Sequence, residues 1–138
     1  MNQGDVLRGK LPLVSVVMTT YNGERFLVEQ LESLLAQSYS NFEIIVCDDC
    51  STDSTISILR SFGSENKQIK AFYNEKNLGY VKNFQRVIGY CSGEYLVFCD
   101  QDDIWLPDKI AIQLDHLRAS NALAFLAMPF WWTHMGRI

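Results

Sequence analysis

Leu13-Val-Ser-Val-Val-Met-Thr-Thr20, closed by Tyr21-Asn22-Gly23, is the stretch that decides the fold. The run is β-branched and almost continuously apolar, which suits a strand buried on both faces of a parallel sheet. Asn22-Gly23 ends it as a turn. From Glu24 the apolar spacing becomes helical: Leu27, Leu31 and Leu34, with Leu35 beside them, form one stripe, and Gln37 to Asn41 closes the helix. A strand directly followed by an amphipathic helix is the first half of a βαβ unit.

The same alternation continues along the chain. Phe42 to Cys47 predicts a second strand, followed by Ser51 and Asp53 as N-caps of a short helix carrying Ile56, Leu59 and Phe62 on one side. Ile69 to Tyr73 alternates as a third strand, and residues 80–90 have helical spacing through Phe84, Val87 and Ile88. Tyr95 to Cys99 is a fourth strand. Pro107 suits the first position of a last helix over 108–118, with Ile110, Leu114 and Leu117 buried. The order β-α-β-α-β-α-β-α predicts an α/β, Rossmann-like fold, a mostly parallel sheet with helices on both faces.

With 138 residues the chain has room for one domain, and 48% hydrophobic against 20% charged residues exclude a disordered or fibrous chain. Twelve basic against sixteen acidic residues give a net charge of -4, with no basic run. Nucleic acid is therefore not expected as a partner. An anionic ligand would need a metal ion or backbone amides. No apolar stretch reaches the ~20 residues of a membrane span; the nearest, Ala122 to Trp132, is broken by Pro129. Met1 to Lys10 is polar, so no signal peptide is expected ahead of the first strand, and Cys47, Cys50, Cys91 and Cys99 read as reduced thiols in a cytoplasmic location. The organisation expected is a leader over 1–12, a domain over 13–118 and an atypical hydrophobic tail over 119–138.

Open parallel sheets bind ligands outside the carboxyl ends of their strands. Three polar clusters fall there: Thr19-Thr20-Tyr21-Asn22, Asp48-Asp49 and Asp100-Gln101-Asp102-Asp103. Three carboxylates within four residues repel one another unless a cation offsets them. Oxygen ligands of this kind suit Mg2+ or Mn2+, which takes its remaining ligands from phosphate and water. The i, i+2 spacing of Asp100 and Asp102 lets both reach one ion. The plainer reading is a solvated acidic loop, with Asp48-Asp49 as a helix cap. Neither a P-loop nor a G-x-G-x-x-G fingerprint occurs. Cys47-x-x-Cys50 has no matching second pair, so buried inert thiols are expected rather than zinc. His116 and His134 read as surface residues, and Trp105 as core, with stacking on a ligand ring as the alternative.

In order and spacing, Val14 to Asn22, Gln37-Ser-Tyr39, Cys47 to Asp53, Asn77-Leu-Gly79 with Asn83-Phe84, Gly93-Glu-Tyr95 and Asp100 to Pro107 resemble the family 2 glycosyltransferases, inverting enzymes of the GT-A fold. The likeness runs from about Leu13 to Leu117. The Asp-Gln-Asp-Asp-Ile-Trp form is most similar to the rhamnosyltransferase-like branch used in bacterial surface polysaccharide assembly. The resemblance implies a UDP- or dTDP-type nucleotide-diphosphate sugar as donor and a carbohydrate or lipid-linked saccharide as acceptor. It also implies peripheral association at the inner face of the membrane as an option. Thr19, Thr20 and Tyr21 would line the nucleotide pocket with Asn77, Gly79 and Asn83, and Asp49 would accept the base N3–H. Asp100 and Asp102 would form the D-x-D-type motif holding the metal, with Asp100 also on the nucleotide and Asp103 in support. The implied mechanism is one in-line displacement at the anomeric carbon, a carboxylate base removing the acceptor proton.

The chain departs from the family where that base should be. The family's base and acceptor segments follow well after the fourth strand, and no Asp or Glu follows Asp115 here. The expectation is donor-binding architecture with the C-terminal half missing and the catalytic base outside this chain. Two other readings remain: a non-catalytic fragment that folds and at most binds nucleotide, and, more remotely, a receiver-type signalling domain.

Overall fold

The computed structural model describes residues 10–120; the first part of the expected leader and the tail from residue 121, with His134, lie outside the described residues. The eight expected elements are all present, as β1 (Val14–Thr20), α1 (Glu24–Leu35), β2 (Phe42–Asp48), α2 (Thr55–Glu65), β3 (Ile69–Tyr73), α3 (Tyr80–Ile88), β4 (Tyr95–Cys99) and α4 (Lys109–Ser120). The sheet order is β3-β2-β1-β4. Every pairing is parallel, Val14 facing both Phe42 and Tyr95. A receiver domain of flavodoxin-like order would place β3 beside β1. Here β3 pairs with β2 and β4 takes the far side of β1, which overturns the receiver reading.

Burial on both faces explains the unbroken apolar runs. All seven residues of β1 and all seven of β2 are buried. Val14, Val16, Met18, Ile44 and Val46 face a core closed by Leu27, Leu31 and Leu34 of α1, Leu59 of α2, and Ile110 and Leu114 of α4. Val17, Ile45 and Cys47 face the opposite way, onto Val87 and Phe84 of α3. A fully buried Leu, Ile or Val contributes roughly 1.5–3 kcal/mol, so β1 and β2 carry much of the stability.

Several boundaries differ from the sequence reading. Pro107 precedes α4 instead of occupying its first position, because its carbonyl accepts from Ser38 N at 2.8 Å. Gln37 completes this tie, its Nε2 donating to Leu106 O at 2.8 Å and its Oε1 accepting from Ile110 N at 3.0 Å. The helix also runs on past Arg118 to Ser120. Asp53 is not the N-cap of α2, a place taken by Ser54. Its carboxylate instead bridges two helix starts, accepting from Thr55 N at 2.9 Å and from Glu24 N of α1 at 3.1 Å. Glu24 returns the contact by accepting from Ser54 N at 2.8 Å.

At the amino end of the sheet, buried Glu43 accepts from Ser15 Oγ at 2.6 Å, Ser92 N at 2.7 Å and Lys70 Nζ at 2.9 Å. Burial alone would raise its carboxyl, but the bonds from Ser15, Lys70 and Ser92 outweigh burial and hold it below the ordinary 4.5. A lowered folded value means stability that is full above about pH 4.5 and lost as pH falls through the folded value. Glu43→Gln is therefore expected to flatten the acid limb of stability below that pH, measured by urea unfolding across a pH series. The glycines give a second test. A Cβ on Gly93 would sit 2.6 Å from Ser15 N and 2.9 Å from Leu13 O, whereas one on Gly63 meets only Ile69 O at 3.9 Å. Gly93→Ala should cost about 1–3 kcal/mol or more, and Gly63→Ala, inside α2, should gain about 0.5–1 kcal/mol.

Candidate functional site

Strand order reverses at β1, where β2 and β3 extend one way and β4 the other. The crevice at the carboxyl ends of β1 and β4 is the switch point at which such sheets bind ligands. A cleft of about 420 Å³ lies at this edge, lined by Thr19, Thr20, Tyr21, Asp49, Asn77, Gly79, Tyr80, Asn83 and Gln101. The fold thus brings Thr19 to Tyr21, Asp49, Asn77, Gly79 and Asn83 together from three separate segments. Asp100, Asp102 and Asp103 are not among the lining residues. Asp100 lies beside the cleft, accepting from Tyr80 Oη at 3.2 Å.

The two acids after β2 do different work. Asp48 is fully buried and braces the edge from behind, accepting from Thr20 Oγ1 at 2.8 Å, Ser51 N at 2.8 Å and Ser51 Oγ at 2.6 Å. Asp49 organises the lip. Its Oδ1 accepts from Leu78 N at 2.7 Å and Asn74 Nδ2 at 2.9 Å, and its Oδ2 from Gly79 N at 2.9 Å. With two lone pairs per oxygen, Oδ2 keeps one acceptor position. Asn74 also donates to Asn83 Oδ1 at 2.8 Å, and Asn83 donates to Cys47 O at 2.9 Å, so the lip is bound to the end of β2. Gly79, at φ 83 and ψ 162, takes a backbone shape that side chains resist.

Asn22 (φ 47), Cys50 (φ 70) and Asp102 (φ 71) are the described non-glycine residues of left-handed backbone. They fall in the turns after β1, β2 and β4, the three strands that bound the cleft. Local strain of about 1–3 kcal/mol at such positions persists only where neighbours over-determine it. Here Asn22 N donates to Ser51 Oγ at 2.8 Å and Asn22 Oδ1 accepts from Thr52 N at 2.8 Å.

The acidic loop is supported from below. Gln30 of α1, fully buried, donates through Nε2 to Asp100 O and to Cys99 Sγ. Lys109 stacks over the Trp105 ring, 4.3 Å from its centre. Burial pushes the Lys109 ammonium down from its usual value, while Cys99, Asp103 and Asp100 pull it back up. Asp100 and Asp102 are exposed, and among the described residues no group of three or more His, Cys, Asp or Glu is placed to hold a metal by itself.

Trp105 is 3% exposed and packs in the core, away from the lining of the cleft, so the stacking alternative falls. All four cysteines are free. Burial pushes the Cys47 thiol up to about 11 and the Cys99 thiol up to about 12, as inert core residues require. His116 is exposed on α4. Sequence reasoning missed Tyr80, Gln101, Asn74 and Gln30. Tyr80 carries a usable signal, directly after Asn77-Leu78-Gly79 at a helix start. Gln101 stands in the acidic cluster without a charge to single it out.

The comparisons with known proteins bear on this cleft. The family model described as glycosyl transferase family 2 matches residues 15–131. WfgD of Escherichia coli, a UDP-Glc:alpha-D-GlcNAc-diphosphoundecaprenol beta-1,3-glucosyltransferase, is 35% identical over 109 residues, 79% of this chain and 42% of that protein. Residues 1–349 of S. aureus TarS in complex with UDP superpose with a TM-score of 0.71 at 30% identity, over 78% of this chain and 32% of that one. The mannosyltransferase PcManGT of Pyrobaculum calidifontis, in complex with GDP-Man and Mn2+, gives 0.73 at 26% identity, over 78% and 33%. The chain spans 36–43% of the length of curated relatives that it matches at 35–40% identity.

Asp49 offers a direct check of the lip. Asp49→Asn would leave an NH2 facing an N–H that the carboxylate now receives, a cost of about 1–3 kcal/mol. The expected outcome is faster hydrogen exchange at the Leu78 and Gly79 amides with the sheet amides unchanged.

Proposed function

The chain belongs to glycosyl transferase family 2, and on that premise we propose that its GT-A fold binds the nucleotide of a UDP- or dTDP-type sugar donor. The transfer served is that of a sugar to a carbohydrate or lipid-linked saccharide acceptor in bacterial surface polysaccharide synthesis. The observation that carries this reading is the cleft at the β1/β4 switch point, where Asp49 and Thr19 to Tyr21, from the end of β1 and the turn after it, line one pocket. TarS with UDP and PcManGT with GDP-Man and Mn2+ support it as relatives of the same fold, and the diphosphoundecaprenol-linked acceptor in the name of WfgD supports the acceptor class. No helix among the described residues is long and apolar enough to cross a membrane.

Each residue then has a physical task. The remaining lone pair of Asp49 Oδ2 accepts the N3–H of uracil or thymine, a bond to a charged group worth about 1.5–3 kcal/mol. Thr19, Thr20 and the half-exposed Tyr21 form the wall against the nucleoside, and Asn77, Gly79 and Asn83 hold the opposite lip. Asp100 and Asp102 supply hard oxygen ligands. The donor set fits Mg2+ or Mn2+, since such an ion takes only one or two protein carboxylates and completes its shell with diphosphate and water. When bound, the ion supplies charge neutralisation of the diphosphate leaving group. Asp103 sits behind these ligands, its N–H on Asp100 O at 3.3 Å, and supports the loop. No described residue is assigned as the base that takes the acceptor proton.

Calorimetric titration with nucleoside diphosphates in the presence of Mn2+ tests the reading. UDP or dTDP is expected to bind at least ~10-fold more tightly than CDP, whose N3 is an acceptor facing the Asp49 carboxylate. Asp102→Asn is expected to abolish the Mn2+ dependence while leaving the melting temperature unchanged. Equal binding of UDP and CDP, or no binding of any of them by folded protein, would remove the proposal.

A further inference from the structure

The residue between the two acids does more than space them. Gln101 reaches across the switch point, its Oε1 accepting from Tyr21 N at 2.8 Å. This is the one hydrogen bond of the Gln101 side chain among the described residues. It ties the loop after β4 to the turn after β1, both of which line the cleft. Gly23 makes room for it: a Cβ there would lie 2.8 Å from Gln101 Cδ and 3.0 Å from Nε2.

The bond also settles which way the amide faces. Tyr21 N is a donor and can meet only the amide oxygen. The NH2 group is thereby fixed at the other end of a planar amide, in a residue that lines the cleft. Its donors take no acceptor among the described residues. A partly buried primary amide, held at one end and unspent at the other among the described residues, is a preorganised donor for a ligand oxygen.

We propose that Gln101 is a nucleotide-contacting residue whose Nε2 donates to an oxygen of the ribose–diphosphate portion while its Oε1 pins the turn after β1. The inference rests on the nucleotide reading of the cleft and adds a neutral donor to it. The position of Gln101, flanked by Asp100 and Asp102 and opposite Tyr21, selects the ribose–diphosphate portion over the base, which belongs to the Asp49 side.

Two variants separate the two ends of the amide. Gln101→Glu keeps an acceptor for Tyr21 N and removes the donors; Gln101→Leu removes both without adding charge. The measurements are UDP affinity by calorimetry with Mn2+ and hydrogen exchange at the Tyr21 amide. Gln101→Glu is expected to keep Tyr21 protected and yet bind UDP about tenfold or more weakly. Gln101→Leu is expected to lose both the protection and the affinity. Wild-type affinity in Gln101→Leu would show that the other variant acts by charge repulsion alone, and wild-type affinity in Gln101→Glu would show that only the clasp matters; either overturns the contact. A wild-type protein that binds no nucleoside diphosphate overturns this inference together with the proposed function, whereas UDP binding with a freely exchanging Tyr21 amide overturns the inference alone.

Discussion

Parallel pairing of β1 with β2 on one side and β4 on the other is the constraint on which the molecule depends. The stretch from Val14 to Met18 is in parallel register with both neighbours at once. Because all four strands run the same way, their carboxyl ends share one edge. Because the order reverses at β1, the connections leave that edge in opposite directions and a crevice opens between them. The apolar content of β1 therefore stabilises the fold and places the site through the same contacts.

The edge itself is built from acids that have different fates. Asp48, Asp49 and Asp53 each receive several N–H or O–H donors, which offsets the cost of removing them from water. For Asp53, burial opposes ionisation, but the bonds from Thr55 and Glu24 hold its carboxyl below the usual value. These three act as joints between turns that propensity alone would not hold. Three left-handed non-glycine residues at the same edge are consistent with turns fixed by side-chain bonds.

The elements were legible because each has a strong period. Leu27, Leu31 and Leu34 could only share a helical face, and Val14 to Thr20 could only be buried on both sides. The clusters at the strand ends were legible for a geometric reason, since a parallel sheet gathers every strand's carboxyl end. The partners of those clusters were not. That Gln30 would reach Asp100 O, or Gln101 Tyr21 N, depends on contacts 70 and 80 positions apart along the chain. Glutamine carries no charge or period to mark it. Pro107 misled for a similar reason: its φ suits a helix start, but the tertiary bond from Ser38 to its carbonyl takes it into a preceding turn.

The distribution of charge bears on how an acidic protein could hold an anion. Among the described residues no Lys or Arg lines the cleft, and Lys109, which interacts with Asp100 and Asp103, lies over the Trp105 ring. Backbone amides at Leu78 and Gly79 are already committed to Asp49. Two unit charges 4 Å apart in a partly wet site interact by about 4 kcal/mol at an effective dielectric near 20, so a diphosphate facing Asp100 and Asp102 unaided would be repelled. The repulsion changes sign only if a small multivalent cation sits between them. Asp100 and Asp102 are exposed where Asp48 and Asp49 are buried, the division that the proposed metal ligation requires.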